Sequence, residues 1–299
     1  MRVDAHFHIW DLEAHRFPWL QQGEPMVRLY GNSAPLRHSY RIEDYIADAR
    51  ASGVEAGVYV QCGMEDPFEE VCHVQELVDT NRCDNFPIMI VGHADLSSDG
   101  CAEELERFAQ VPNVRGIRYS IAWTPDPVAT FALKPVALSS DSFVRSFTAL
   151  GELDLRWDCL VYPAQMHDLA ALCEKHPSTA VVINHTGLPL EAGDPGLNRW
   201  RAGMRELAQH PQVSIKISGL GMVRHDWTGQ GVSWAQDVIA ETIGMFGSER
   251  CMFASNYPVE RLASPFEDVY RAYETAVANR PEEERRNLFG ENARRLYGF

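Results

Sequence analysis

Apolar and polar positions alternate in blocks along the whole chain. Short β-branched or apolar runs read as strands at VDAHFHI (3–9), EAGVYVQC (55–62), FPIMIVGH (86–93), NVRGIRYS (113–120), LRWDCLVY (155–162), TAVVINH (179–185), QVSIKIS (212–218) and CMFASN (251–256). Longer segments with helical periodicity fall at 42–53, 68–82, 101–110, 141–153, 164–176, 197–210, 233–247 and 265–277, and an amphipathic tail covers 281–299. Ser264 ahead of one helix and Gly53 and Gly247 just past the ends of two others are start and stop signals. Strands alternating with helices pair in parallel through right-handed crossovers, and eight such units close on themselves. The pattern predicts an α/β fold, a (β/α)8 TIM barrel formed as a single domain over residues 1–299, with long strand-to-helix loops and a C-terminal helix. An open doubly wound sheet is the alternative, but no GxGxxG turn follows the first strand.

The long connections 10–41, 121–140 and 219–232 all follow strands, where such a barrel builds its mouth. Their aromatic and proline content suits either ligand walls or rim packing. The strand ends then bring His6, His8, His93, Arg118, Tyr119, Tyr162, His185, Ser218 and Asn256 toward one rim. Strict alternation in the first strand places Asp4, His6 and His8 on one face. Two readings compete there: a half-buried polar strand face, or a pair of imidazoles spaced to share a metal ion. In the seventh strand, alternation puts Lys216 inside the barrel, where a lone charge is costly; an acid such as Asp4 is its expected partner, the alternative being that it lies within reach of substrate.

Composition narrows the class. With 45% hydrophobic and 23% charged residues the chain is an ordinary globular protein, without an apolar run of membrane-spanning length and without the features of a signal peptide at its start. A cytoplasmic protein is expected. Seven scattered cysteines without a CxxC pair read as free thiols. The net charge of −15 disfavours nucleic acid and anionic membranes as partners, so an anionic small molecule must be drawn in by local arginines. No feature identifies an interface, and a homo-oligomer stays open.

The stretches VDAHFHIW, VVINHTGLP, IKISGL and CMFASNYPVE, in the first, sixth, seventh and eighth strands, together resemble the amidohydrolase family 2 group, and within it the lactonase branch of sugar-acid lactonases and 2-pyrone-4,6-dicarboxylate hydrolase. The resemblance runs from residue 3 to the end of the last helix. It implies that His6 and His8 are the family's HxH pair and that His185 is its sixth-strand histidine. These three would be the ligands of one divalent ion, zinc foremost, or would act with none. The wider superfamily often has a bridging Lys or Glu where Arg118 stands, and a histidine where Tyr162 stands; both departures argue against a two-metal centre.

The sharpest departure is in the eighth strand. The family usually ends it with Ser-Asp-x-Pro, the aspartate being the general base, whereas this chain has Ser255-Asn256-Tyr257-Pro258. A carboxamide cannot take a proton at neutral pH, so the base would be His185, one of His6 and His8, or an acid from a loop. The resemblance implies hydrolysis of a small lactone or related cyclic ester, with His6, His8, His185 and Asn256 catalytic. Arg118, Tyr162, Ser218 and Arg224 would contact an anionic, often carboxylated, substrate, with a solvated loop charge as the alternative reading of Arg224. Two other readings follow from the lost aspartate: a non-hydrolytic lyase or isomerase, or a binding protein without turnover.

Overall fold

The computed structural model describes residues 1–189 and 194–299. Eight parallel strands form one sheet in chain order: β1 (Val3–Phe7), β2 (Ala56–Val60), β3 (Ile88–His93), β4 (Val114–Arg118), β5 (Arg156–Cys159), β6 (Val181–Ile183), β7 (Val213–Ile217) and β8 (Cys251–Phe253). Eight helices alternate with them: α1 (Ile42–Ala51), α2 (Pro67–Asp79), α3 (Cys101–Ala109), α4 (Asp141–Glu152), α5 (Met166–Lys175), α6 (Asp194–Ala208), α7 (Val232–Phe246) and α8 (Phe266–Ala276). The expected (β/α)8 barrel is therefore the observed one. The tail folds as three short consecutive helical segments, from Glu282 to Tyr297, rather than one helix.

Valine and alanine fill the narrow barrel interior, where Val3, Ala5, Val58, Val60, Val91, Val182, Met252 and Ala254 pack with Ala293 and Tyr297 of the tail. Larger side chains occupy the layer between strands and helices. Phe7 stacks on Tyr45 of α1 there, with ring centroids 3.6 Å apart. The side chain of Asp66 caps α2 by accepting from the N–H groups of Phe68 and Glu69.

The two ends of the sheet meet through an unusual seam. No ladder joins β1 to β8; instead the Asp4 carboxylate accepts the Ser255 N–H at 2.8 Å and the Ser255 hydroxyl at 2.6 Å. Above it, the Asn256 N–H donates to His6 O and the His8 N–H to Tyr257 O, both at 2.8 Å. Side-chain bonds thus close the lower seam and main-chain bonds close the rim.

That seam corrects two expectations. The register of β1 shifts between Asp4 and Phe7, a bulge that adds one residue and reverses the alternation. Val3 and Ala5 point inward and Asp4 outward, toward the Tyr45 hydroxyl at 3.0 Å, while His6 and His8 turn inward beyond the bulge. Asp4 therefore does not share a face with the histidines, and it is not the partner of Lys216. Lys216 pairs with Asp158 of β5, and both side chains are fully buried. Asp158 also accepts from Asn184 Nδ2 at 2.9 Å and from the Tyr297 hydroxyl at 2.9 Å, so the tail closes the barrel floor on this ion pair.

Candidate active site

His6 and His8 follow the bulge, and their Nε2 atoms approach to 3.2 Å. His8 Nδ1 lies 2.7 Å from Val60 O, a carbonyl that can only accept, so Nδ1 carries the proton and the neutral ring's lone pair is at Nε2, facing His6. His185 follows β6 on a sharp turn, and its ring centroid lies 4.7 Å from that of His6. Its Nδ1 is 3.0 Å from Ser218 Oγ, which leaves Nε2 as the ring nitrogen without that engagement.

Strained backbone holds two of these residues in place. His185 has φ +53° and Asn256 φ +56°, a left-handed region that is uncommon for side chains other than glycine. Gly219, at φ +62°, makes the His185 position possible: a Cβ there would stand 2.7 Å from the imidazole ring. No side chain fits between the β7 turn and this histidine.

Burial and nearby cations keep the imidazoles uncharged. His8 is pushed down to about 3, chiefly by burial and then by Arg118, with the Val60 carbonyl opposing. His6 and His185 are both held well below the usual histidine value, first by burial and then by neighbouring charge, with Lys216 and Arg118 contributing to each. Their lone pairs are therefore available at neutral pH.

A cavity of about 640 Å3 opens over this cluster, with His8, His185, Asn256, Arg118, Arg28 and Cys62 among its walls. Arg118, at the end of β4, donates from Nη1 to Gln61 O at 2.9 Å. No carboxylate lies within ion-pair distance of it among the described residues, and none of the residues lining the cavity is an Asp or Glu. In a chain of net charge −15, the lining of this cavity, with two arginines and no acid, concentrates positive charge.

The structure brings His6, His8, His185, Asn256, Ser218 and Arg118 together. It does not bring Tyr162 and Arg224 with them. The Tyr162 hydroxyl donates to Ala129 O and anchors the 121–140 loop, while Arg224 is half-exposed and held by Asp226 at 2.8 Å. Sequence reasoning missed Arg28, which enters from a two-residue ribbon inside the 10–41 loop and donates to Pro127 O. It also missed Glu260, four residues beyond Asn256. The Pro258 between them was a visible turn signal, but nothing in the spacing marked the acid as inward-facing.

A divalent ion needs a third protein donor beyond the His6 and His8 pair to make an ordinary catalytic site. Among the described residues no group of three His, Cys, Asp or Glu side chains is placed to hold one. The expected trio of His6, His8 and His185 is not found as such a group among the described residues, and His6 and His8 are the pair whose ring nitrogens converge, at 3.2 Å.

A closed parallel barrel whose neutral imidazoles and unpaired arginine meet at the C-terminal ends of its strands defines a barrel enzyme acting on a small molecule. The family model described as Amidohydrolase matches residues 3–299, and the chain belongs to that family, a hydrolase by that membership. It is 33% identical to the uncharacterized protein y4mH of Sinorhizobium fredii, over 99% of this chain and 97% of that one. It is 30% identical to an L-fucono-1,5-lactonase of Burkholderia multivorans, over 100% of this chain and 96% of the relative. An amidohydrolase structure from Burkholderia multivorans with bound zinc superposes with a TM-score of 0.80 at 28% identity, covering 99% of each chain. A divalent metal thus occurs within the family. No helix among the described residues is long and apolar enough to cross a membrane.

Proposed function

We propose that the protein opens a small anionic lactone, or a related cyclic ester, by attack of water. One observation carries the reading: Arg118, without an acidic partner, shares a cavity with His8, His185 and Asn256. A guanidinium matches a carboxylate in a two-point contact, and in the cavity it shares with His8 and His185 it would hold the ring carbonyl beside them. The lactonase names of relatives at about 30% identity support the reaction class.

In this scheme the neutral imidazoles offer lone pairs rather than donors, and His185 takes the proton of the attacking water at Nε2 while the Arg118 guanidinium, in the same cavity, favours the negative charge that builds on the opening ring. Ser218 holds the His185 ring through Nδ1 and so fixes which nitrogen is free. Asn256 is buried, and its amide orients water beside the ring of His8. Arg28 is a second cation for a substrate that carries more than one anionic group. Zinc is the ion this pocket would take, at His6 and His8; because the donor set is incomplete, no step is assigned to it.

The test is a panel of carboxylated and neutral sugar-acid lactones followed by pH-indicator assay. Ring opening of anionic members, with oxygen-18 from water entering the product, supports the reading. Turnover of an anionic substrate without incorporated label identifies lyase or isomerase chemistry instead.

A further inference from the structure

Asn256 leaves the barrel without the usual strand-eight carboxylate, yet a carboxyl group stands directly behind it. Glu260 lies in the helical turn Val259–Leu262, and its N–H donates to Asn256 O at 3.0 Å. Its side chain is buried, with only 2% of the residue exposed. One oxygen, Oε1, accepts from the Gly221 N–H and from Trp227 Nε1, both at 2.7 Å.

The second oxygen, Oε2, is buried without a hydrogen-bond partner, and so is Asn256 Nδ2. The two orphans are complementary, an acceptor and a donor. The Glu260 N–H on Asn256 O keeps the two residues one helical turn apart, and of the two ends of the amide Nδ2 is the one buried without a partner, although Asn256 lines the cavity; the amide also favours the charged forms of Glu260 and His8. That arrangement sets its orientation: the NH2 end faces Glu260, and the carbonyl end faces His8 and the cavity.

We infer that Glu260 is a positioning residue for this site, its carboxyl group holding the Asn256 amide so that Oδ1 faces the cavity beside His8 and accepts from the attacking water. Asn256 then touches the water, and Glu260 acts through Asn256. The inference rests on the lactone reading for its kinetic consequence, but the contact itself does not depend on which substrate is used.

Two measurements test it. In the first, Glu260→Gln, an isostere, places an NH2 against the Asn256 NH2; kcat on the best lactone falls at least tenfold while KM stays within about threefold. Asn256→Asp brings a basic carboxylate of its own, so the swapped variant Glu260→Gln/Asn256→Asp is compared with Asn256→Asp alone: there the same Glu260→Gln change raises kcat, because a donor again faces an acceptor. Equal kcat in wild type and Glu260→Gln, or losses in the swapped variant that simply multiply, overturns the inference. The swapped variant also reads the contact if Glu260→Gln alone fails to fold.

The second needs no turnover. Besides Gly221, Trp227 and Asn256, the group facing Glu260 is Tyr273 of α8. Burial pushes the Glu260 carboxyl up to about 7, so the side-chain NH2 signal of Asn256 in asparagine-labelled protein shifts with a midpoint near that pH. The shift disappears in Glu260→Gln. A signal that does not move between pH 5 and 8.5 in wild type overturns the contact. If no lactone on the panel is opened, the proposed activity fails while this experiment still decides the contact.

Discussion

Lys216 and Asp158 form an ion pair with neither side chain exposed, inside the barrel and below the imidazoles whose charge Lys216 helps suppress. Removing one member of such a pair leaves the other buried and unmatched. Lys216→Met is expected to destabilise the fold by about 3–5 kcal/mol, whereas Lys216→Met/Asp158→Leu recovers most of the loss. Chemical denaturation of the three proteins checks this; equal stability of single and double variants counts against it.

His185 depends on Gly219 as much as on its own chemistry. Gly219→Ala imposes strain at φ +62° and drives a methyl group into the imidazole. The expected result is a loss of roughly 1 kcal/mol or more in stability, with a fall in kcat close to that of His185→Ala. For His185→Ala itself the loss is about 100- to 10,000-fold, the usual range for general base removal. Near-normal turnover of His185→Ala on an accepted lactone would show that another group takes the proton.

Arg118 is predicted to act on binding. Arg118→Ala raises KM for carboxylated lactones by roughly 10- to 100-fold, the worth of a charge-assisted hydrogen bond, and changes KM for neutral lactones much less. Parallel losses on both classes would place Arg118 in the scaffold instead.

Stability should depend on acid in a specific way. His6, His8 and His185 have folded values below their unfolded ones, so their contribution is present above about pH 6.5 and is lost as pH falls toward the folded values. Asp4, raised to about 6, and Glu260, raised to about 7, act oppositely: their contribution is complete below the ordinary carboxylate range and is lost as pH rises through those values. Between about pH 4.5 and 6 three imidazoles outweigh two carboxyls, so melting temperature falls on acidification. His73 and His93 are also held below the usual histidine value, so removing one imidazole in His8→Gln makes the slope shallower without abolishing it. A slope unchanged by that substitution contradicts the assignment.

Two nitrogens hold zinc less firmly than the three protein ligands of an ordinary catalytic site. Dialysis against a chelator is therefore expected to remove any zinc and to leave kcat/KM within about threefold. A tightly retained ion whose loss abolishes turnover would require a donor beyond His6 and His8.

The barrel was legible because its signal repeats: each strand and helix was marked by its own period, and boundaries moved by only a few residues. The histidines were legible because parallel strands must carry their ends to a common rim. What escaped depended on departures from regularity. The β1 bulge reverses a two-residue period through a backbone event with no side-chain mark, so Asp4 was put on the wrong face and matched with Lys216. Arg28 arrives from a loop with no period at all, and Glu260 looks on paper like any acid in a surface turn. Tyr162 and Arg224 sit near the rim in sequence, but local partners, Ala129 and Asp226, claim their polar atoms.

The seam between β1 and β8 has a kinetic consequence. His6 lies in the first barrel strand with His8 just beyond it, Asn256 follows the eighth, and the bonds from Asn256 to His6 and from His8 to Tyr257 form only once the first and last strands have docked. During refolding, seven strands can assemble without producing a competent pocket. Recovery of activity should therefore trail the return of helical signal, reporting the final stitch rather than the bulk of the folding.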